Sequence, residues 1–185
     1  ATGRELIRIV QSAGELHYDE TPVRGADLRA LSGQAFGDYY ERQFGLPLAD
    51  GLTQSGLSLT SLLANMRLME ELDGTPTLAV TGVLMFGDAP QRFLPHSRLS
   101  AVAFSGQDED SNILDRLELT GRLPQIIDDA RVFLKRNVRV AAQELGFERR
   151  DFPQYDLTAL GEAVVNAIVH RDYSLSGSQI RIFVF

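Results

Sequence analysis

The stretch "LGEAVVNAIVHRDYSLSGSQIRIFVF", residues 160–185, combines a helical pattern with an alternating one and decides how the chain is interpreted. Apolar residues recur at three- and four-residue spacing between Leu157 and Val169, which predicts a helix, and Asp156 is placed to cap its first turn. The sequence then alternates from Gln179 to Phe185, which predicts a strand. The stretch therefore predicts a helix–strand unit.

On the predicted helix, apolar residues cover most of the circumference: Leu160, Ala163, Val164, Val165, Ala167, Ile168 and Val169. The narrow strip that remains contains Glu162, Asn166 and His170 at four-residue intervals, so all three project from one face. Two interpretations are open. The strip is a solvated surface on which His170 has a capping or structural role, or it is chemically active. A carboxylate beside a carboxamide can accept a proton from water and offer oxygen to Mg²⁺, which suits nucleotide phosphates.

The predicted final strand carries large apolar side chains on both faces. Its two faces are Ile180, Ile182 and Val184, and Phe183 and Phe185. We expect this strand to leave an exposed apolar edge that invites pairing with another copy of the chain, so a homo-oligomer is one predicted assembly.

Composition excludes several classes of protein. At 185 residues, with 44% apolar and 23% charged residues, the chain is of the globular kind. It has no cysteine, which excludes disulfides, thiolate zinc sites and thiol nucleophiles, and its three widely spaced histidines do not suggest a zinc site. A net charge of −7 opposes strong non-specific attraction to nucleic acid by the chain as a whole. No apolar run is long enough to span a bilayer, so we predict a cytoplasmic protein without a membrane partner.

The first half of the chain is predicted to be rich in helices. We expect helices from about Thr2 to Ser12 and from about Ser32 to Phe44, and a loop at 47–56. A helix capped by Ser58 or Thr60 should follow and run through Met66 and Met69, and we interpret "TPTLAVTGVLMFGD" as a helix with Thr77 as N-cap and Gly87 as a left-handed C-terminal residue.

The second half is predicted to contain a short sheet. The runs "RLSAVAF" and "RLELTG", at 98–104 and 116–121, read as strands that pair in antiparallel fashion. A long helix should start near Pro124 and continue to about Leu145, followed by a linker at 146–156.

The long helix carries a candidate nucleic-acid-binding surface. Arg131, Lys135 and Arg139 are four residues apart and share one face, with Arg136 beside them, which is the arrangement that phosphate contact requires. The alternative is an ordinary solvated face, in which cations are favoured near the C-terminal end of the helix by its dipole.

Two resemblances follow from these motifs. "EAVVN" resembles the E-x-x-x-N motif of the N-box helix in GHKL ATPases such as gyrase B, Hsp90, histidine kinases and MutL. Together, "EAVVNAIVHRDYSLSGSQIRI", "GVLMFGDAPQRFLP" and "GELHYDETPV" resemble a prokaryotic family labelled RecG-related helicase or transcriptional regulator. Its members join a Schlafen AlbA-type DNA-binding domain to a GHKL-like C-terminal domain.

The resemblance implies roles for several residues. Glu162 would be the catalytic base, Asn166 would hold Mg²⁺, and His170 would lie at the nucleotide site. DNA would be bound through the full-length protein, and Mg-ATP would be its cofactor, with none expected for these 185 residues. No G-x-x-x-x-G-K-[ST] motif is present, so a helicase motor is not expected here.

The resulting prediction is a mixed α+β chain and a fragment of a longer protein. Residues 1–45 would be a helical segment that follows an AlbA-type domain, residues 46–150 a central unit with a short sheet, and residues 151–185 the start of a GHKL-like domain. The expected function is a DNA-binding transcriptional regulator with a nucleotide-binding domain. An ATP-dependent enzyme and a non-catalytic scaffold or dimerisation module are the alternatives.

Overall fold

The computed structural model describes residues 17–138, 140–145 and 148–185, and for residues 140–145 and 148–153 it describes the backbone alone. The fold is mixed α+β, as predicted. The chain divides into two compact units between Pro95 and His96. The helix predicted from Thr2 to Ser12 lies outside the described residues.

The first unit is built around a three-stranded antiparallel sheet of order β1-β3-β2. Its strands are β1 (Pro22–Asp27), β2 (Met69–Leu72) and β3 (Thr75–Ala79), and short 3-10 turns occupy Tyr18–Glu20 and Leu28–Ala30. Asp73 and Gly74 join β2 to β3, with φ of 52° and 76°. Two consecutive left-handed residues form the tight hairpin turn whose twist matches that of the flanking strands.

Five helices are described in the first unit: α1 (Gly33–Phe44), α2 (Leu48–Ser55), α3 (Leu59–Asn65), α4 (Val80–Phe86) and α5 (Pro90–Phe93). The prediction of α1 is confirmed, and it ends at Gly45, whose φ of 75° is left-handed. Ser58 caps α3 as predicted, because its Oγ accepts a hydrogen bond from the N–H of Ser61 at 3.0 Å.

Three predictions for this unit are wrong. The loop predicted at 47–56 contains α2, whose Gly51 lies so close to the Tyr40 ring that a methyl group there would overlap it. The helix predicted to include Met69 ends at Asn65, and Met69 begins β2. The run interpreted as one helix is half strand and half helix: Thr77 is buried in β3, Ala79 is the N-cap of α4, and Gly87 has a φ of −67°.

The second unit contains a three-stranded sheet of order β5-β4-β8. Its strands are β4 (Leu99–Phe104), β5 (Ile113–Leu119) and β8 (Ile180–Val184). Both central strands and their antiparallel pairing are confirmed, and β8 pairs with β4 in parallel. Two helices, α6 (Leu123–Asn137) and α7 (Leu157–Val169), and a hairpin of β6 (Val140–Leu145) and β7 (Glu148–Pro153) complete the unit.

The core of this unit lies between the sheet and the two helices. Its buried members are Leu99, Ala101, Ala103, Leu119, Ile126, Ala130, Phe133, Leu134, Val164, Ile168 and Val184, with Ile180 and Ile182 packed against them. One face of β8 is therefore packed against its own chain, while β8 itself is an edge strand of the described sheet, and its predicted pairing with another copy stays a prediction. Phe183, on the opposite face, is 38% exposed and contacts Phe104.

The helix predicted to run to Leu145 ends at Asn137. The Asn137 side chain donates to the carbonyl of Phe133 at 3.0 Å and to Asp115 Oδ2 at 2.8 Å, and Val138 is already extended. Residues 140–145 and 148–153, assigned to the helix and to a linker, form the antiparallel strands β6 and β7 instead. In the described part of the chain, no helix has the length and apolar character needed to cross a membrane.

Candidate functional site

Helix α7 carries Glu162 and Asn166 of the predicted nucleotide site, and the third residue, His170, is its C-cap. It begins at Asp156, whose Oδ1 accepts hydrogen bonds from the N–H groups of Thr158 at 2.8 Å and Ala159 at 3.4 Å. Buried Gly161, Val164 and Ile168 form its packed face. Their spacing turns the opposite face, with Glu162, Asn166 and His170, to the solvent, and all three residues are exposed.

The exposed face of α7 is broader than the sequence suggested. Ala163 and Ala167 are exposed and Val169 is 65% exposed, so the predicted apolar cover of the helix is wrong on this side. The helix buries a stripe only, because it lies on one sheet and one neighbouring helix. Among the described residues, the side chains of Glu162, Asn166 and His170 form no hydrogen bond or ion pair.

The loop after α7 is fixed by hydrogen bonds to its own backbone. His170 is the C-cap, and its N–H donates to the carbonyl of Asn166 at 2.9 Å. Arg171 Nη2 donates to the carbonyls of Leu175 at 3.4 Å and Ser178 at 2.5 Å. The guanidinium lies 5.2 Å from the centre of the Tyr173 ring, and burial lowers the pKa of Arg171.

Tyr173 connects this loop to two other segments. Its hydroxyl donates to the carbonyl of Ile168 at 3.1 Å, and its own carbonyl lies 2.9 Å from Nε2 of His96. Because a carbonyl only accepts, this bond requires the proton on Nε2 of the imidazole. Asp172 accepts bonds from the N–H and the hydroxyl of Ser174. Among the described residues, the "RDYS" segment, residues 171–174, therefore stabilises the conformation of the loop through hydrogen bonds. His96, 77 residues from Tyr173, could not be identified from the sequence as the distant partner of this loop.

The predicted basic surface lies partly beside α7. Arg131 and Lys135 are exposed and share one face of α6. A methyl group built on Gly161 would lie 3.4 Å from Nε of Arg131, so the arginine borders α7 one residue before Glu162. The structure thus places Arg131 beside the packed side of α7, where its guanidinium also pairs with Asp128 at 3.6 Å. Arg139, the third member of the row, lies outside the described residues.

Arg136 points to a different surface from Arg131. Its guanidinium donates to Asp115 on β5 at 2.5 Å and lies 5.7 Å from the centre of the Phe133 ring. Hydrogen bonds from Asn137 and Arg136 hold the pKa of Asp115 below its ordinary 3.8. Arg136 is therefore engaged in joining α6 to β5.

The exposed face of α7 offers one carboxylate, Glu162, and one carboxamide, Asn166. The described residues contain no group of three or more His, Cys, Asp or Glu side chains that could hold a metal ion. A groove of about 350 Å³ lies between β5 and α6, and neither Glu162 nor Asn166 lines it. On its own, this surface can contribute ligands to a Mg²⁺–phosphate group, but the described residues do not enclose a nucleotide.

Comparison with known proteins finds a similarity of fold. No family model matches the chain, and no curated protein matches it. The crystal structure of the DIP2311 protein from Corynebacterium diphtheriae is similar, with a TM-score of 0.57 and 18% sequence identity. The alignment covers 97% of this chain and 33% of that one, so this chain spans about a third of the length of the similar protein.

Proposed function

We propose that this chain is part of a RecG-related, DNA-binding transcriptional regulator and that α7 forms one wall of a Mg²⁺–nucleotide site in a GHKL-like domain. The observation that supports the proposal is the exposure of Glu162 and Asn166 on adjacent turns of a helix. This helix packs on one face of a mixed sheet and leads, through a hydrogen-bonded loop, into a parallel strand.

Each side chain has a role suited to its chemistry. The Asn166 carboxamide oxygen would bind Mg²⁺, which prefers hard oxygen ligands, and the Glu162 carboxylate would hold or deprotonate an attacking water. The Arg131 guanidinium, at the border of α7, would attract the phosphates. The remaining walls of the site would come from residues beyond those described.

Calorimetric titration of the full-length protein with Mg-ATP tests the nucleotide part of the proposal. We expect saturable binding that Asn166→Ala weakens by at least about tenfold, the usual scale for a lost metal-site contact. Glu162→Gln should retain binding and remove any hydrolysis. Glu71→Gln, which removes an exposed carboxylate in the first unit, is the charge-matched control and should behave as the wild type. Undiminished binding by Asn166→Ala would contradict the assignment.

The DNA part of the proposal rests on the exposed cations of α6. If Arg131 and Lys135 contact phosphates, each Ala variant should weaken binding similarly for all DNA sequences. Each should also reduce the slope of log K against log salt by about one unit. Arg139→Ala completes the series, because Arg139 is the third cation of the row predicted from the sequence. Arg24→Ala, which removes a cation that is 85% exposed in the first unit, is the control. An unchanged salt slope in the variant that combines the three substitutions would show that these cations form an ordinary solvated surface.

A non-catalytic scaffold is the second candidate function. The observation that favours it is the lack of partners for Glu162, Asn166 and His170 among the described residues, beside exposed Ala163 and Val169. A full-length protein that binds neither Mg-ATP nor DNA, yet assembles, would support this alternative.

A further inference from the structure

We infer that β5 is a dimerisation edge, at which two copies of this chain pair their β5 strands in antiparallel fashion to form one continuous six-stranded sheet. The inference goes beyond the proposed function and concerns a different surface of the second unit. It begins with the sheet order β5-β4-β8, in which β5 has β4 on one side and no described strand on the other.

The β5 edge is long and exposed. All seven residues from Ile113 to Leu119 are in the strand, and the exposed fractions of Ile113, Leu114 and Leu117 are 54%, 65% and 39%. An edge strand presents unpaired N–H and C=O groups that another strand can bind, and exposed apolar side chains add to the gain from pairing.

The charges on β5 select one register for such pairing. We take the two copies to be related by a twofold axis, with the helix-covered faces of both sheets on the same side. In antiparallel pairing, one residue of β5 must then face the same residue of the second copy. If that residue is Asp115, Arg116 or Glu118, a charge faces an identical charge, which is unfavourable. If it is Leu117, the two leucines face each other and residues 115–119 of the strand are paired, whereas a register centred on Leu114 pairs only residues 113–115.

In the register centred on Leu117, Arg116 faces Glu118 of the second copy, and this pair occurs twice by symmetry. Both side chains are exposed. They lie on the sheet face away from α6 and α7, because side chains alternate along a strand and Leu119, next to Glu118, points into the core. Arg116 forms no ion pair with a described residue. Glu118 pairs only loosely with Arg98, at 3.8 Å, so its carboxylate is available to a second arginine.

The helix side of the same edge offers a mixed groove to the second copy. The groove of about 350 Å³ between β5 and α6 has an apolar part formed by Leu117, Leu119, Val132 and Phe133, and Val132 is 62% exposed. Its polar part is formed by Glu118, Thr120, Gln125, Asp129 and Arg136. In the Leu117-centred register, the leucine of the second copy reaches this groove. One surface thus combines an open backbone edge, a groove with an apolar part and a charge pattern that complements itself.

The other edge of the sheet, β8, also has no described strand on its outer side, but it lacks a charge pattern that complements itself. Strand β8 has five residues, and Arg181 is the one charged residue among them. Its charge can repel its own counterpart but can form no opposite pair, so nothing in β8 selects a register.

Sedimentation analysis of the 185-residue chain over a range of concentrations tests the inference. We expect a monomer–dimer equilibrium that weakens with added salt. Arg116→Glu and Glu118→Arg should each raise the dimer dissociation constant at least about tenfold, because each replaces two attractive pairs with two repulsive ones. An equimolar mixture of the two variants should dimerise again, since opposite charges then face each other at both positions.

Circular dichroism would establish that the variants fold, and Arg181→Glu, on β8, is the matched charge-reversal control. A wild-type chain that stays monomeric at the highest concentration would overturn the inference. So would an unchanged dissociation constant in Arg116→Glu, or a mixture of the two variants that remains monomeric. Dimers weakened equally by Arg181→Glu would assign the contact to β8 instead.

Discussion

At the scale of the residue, Asp115 shows how one carboxylate can join two elements. It lies on β5 and accepts hydrogen bonds from Asn137 and Arg136 at the end of α6. These bonds favour the ionised carboxylate, so the pKa of Asp115 is lowered, with the hydrogen bond from Asn137 as the largest cause.

The pH dependence of stability follows from that shift. A carboxyl group with a lowered pKa stabilises the folded state at pH values above its ordinary pKa of 3.8, and this contribution is lost as the pH falls through the lowered value. We expect Asp115→Asn to be less stable than the wild type near neutral pH and to lose less stability below about pH 4. Urea unfolding at several pH values measures both effects. Asp110→Asn, at an exposed loop position, is the control, and parallel pH curves for Asp115→Asn and the wild type would contradict the prediction.

Tyr173 supports the end of α7 through a single hydroxyl group. The ring is 5% exposed, and its hydroxyl satisfies the carbonyl of Ile168 at 3.1 Å. Tyr173→Phe should lower the free energy of unfolding by about 1 kcal/mol, the usual net value of a hydrogen bond. Tyr155→Phe, at a ring that is 46% exposed, should change it little. Chemical denaturation measures both variants, and equal effects would show that the hydroxyl of Tyr173 does not stabilise α7.

At the scale of the element, features set by neighbouring residues could be predicted and features set by distant ones could not. Helices α1 and α7 and strands β4 and β5 follow from local apolar periodicity, and the Asp156 cap bonds only to residues two and three positions ahead. The end of α6 depends on Asp115, which lies 22 residues from Asn137, so the apolar pattern continued past the helix without indicating its end.

The division between β3 and α4 does have a local signal in the sequence, the Asp73-Gly74 pair. Asp73-Gly74 between two short apolar segments is the strongest sequence indication of a two-residue hairpin. It would have divided the run at 75–88 into β3 and α4.

For the candidate site, the sequence correctly placed Glu162, Asn166 and His170 on one face of a helix. The exposure of these residues could not be predicted in the same way, because it depends on what packs against α7, and that is a tertiary property.

Helix α4 depends on a glycine where it meets the backbone before β2. A methyl group on Gly82 would lie 2.2 Å from the carbonyl oxygen of Leu68, which also accepts the N–H of Ala79 at 2.9 Å. Backbone cannot move as a side-chain end can, so Gly82→Ala should destabilise the protein by about 1–3 kcal/mol. Gly37→Ala in α1 meets no atom within 4 Å and should raise stability by up to about 1 kcal/mol, because alanine favours helix. Thermal unfolding of both variants decides the matter, and an equally stable Gly82→Ala would refute this account of α4.

At the scale of the whole molecule, charge and site geometry point to the same expectation. The chain carries a net charge of −7, which repels nucleotide phosphates at long range. Attraction therefore has to come from local groups, and within the described residues Arg131 is the cation shown to border the helix that carries Glu162 and Asn166.

We therefore expect the 185-residue chain to give no measurable Mg-ATP binding, even if the full-length protein binds it. Nucleotide sites are concave and bury most of their ligand, whereas Glu162 and Asn166 lie exposed on the outer face of α7 and the described residues provide no wall opposite them. A phosphate held at one polar face in open water gains little over its hydration, and this gain does not offset the loss of translational and rotational freedom. Calorimetric titration of the chain with Mg-ATP should give only heats of dilution, in contrast to the full-length protein measured under the same conditions. Saturable binding by the 185-residue chain, abolished by Asn166→Ala, would show that α7 and its neighbours already form a working site.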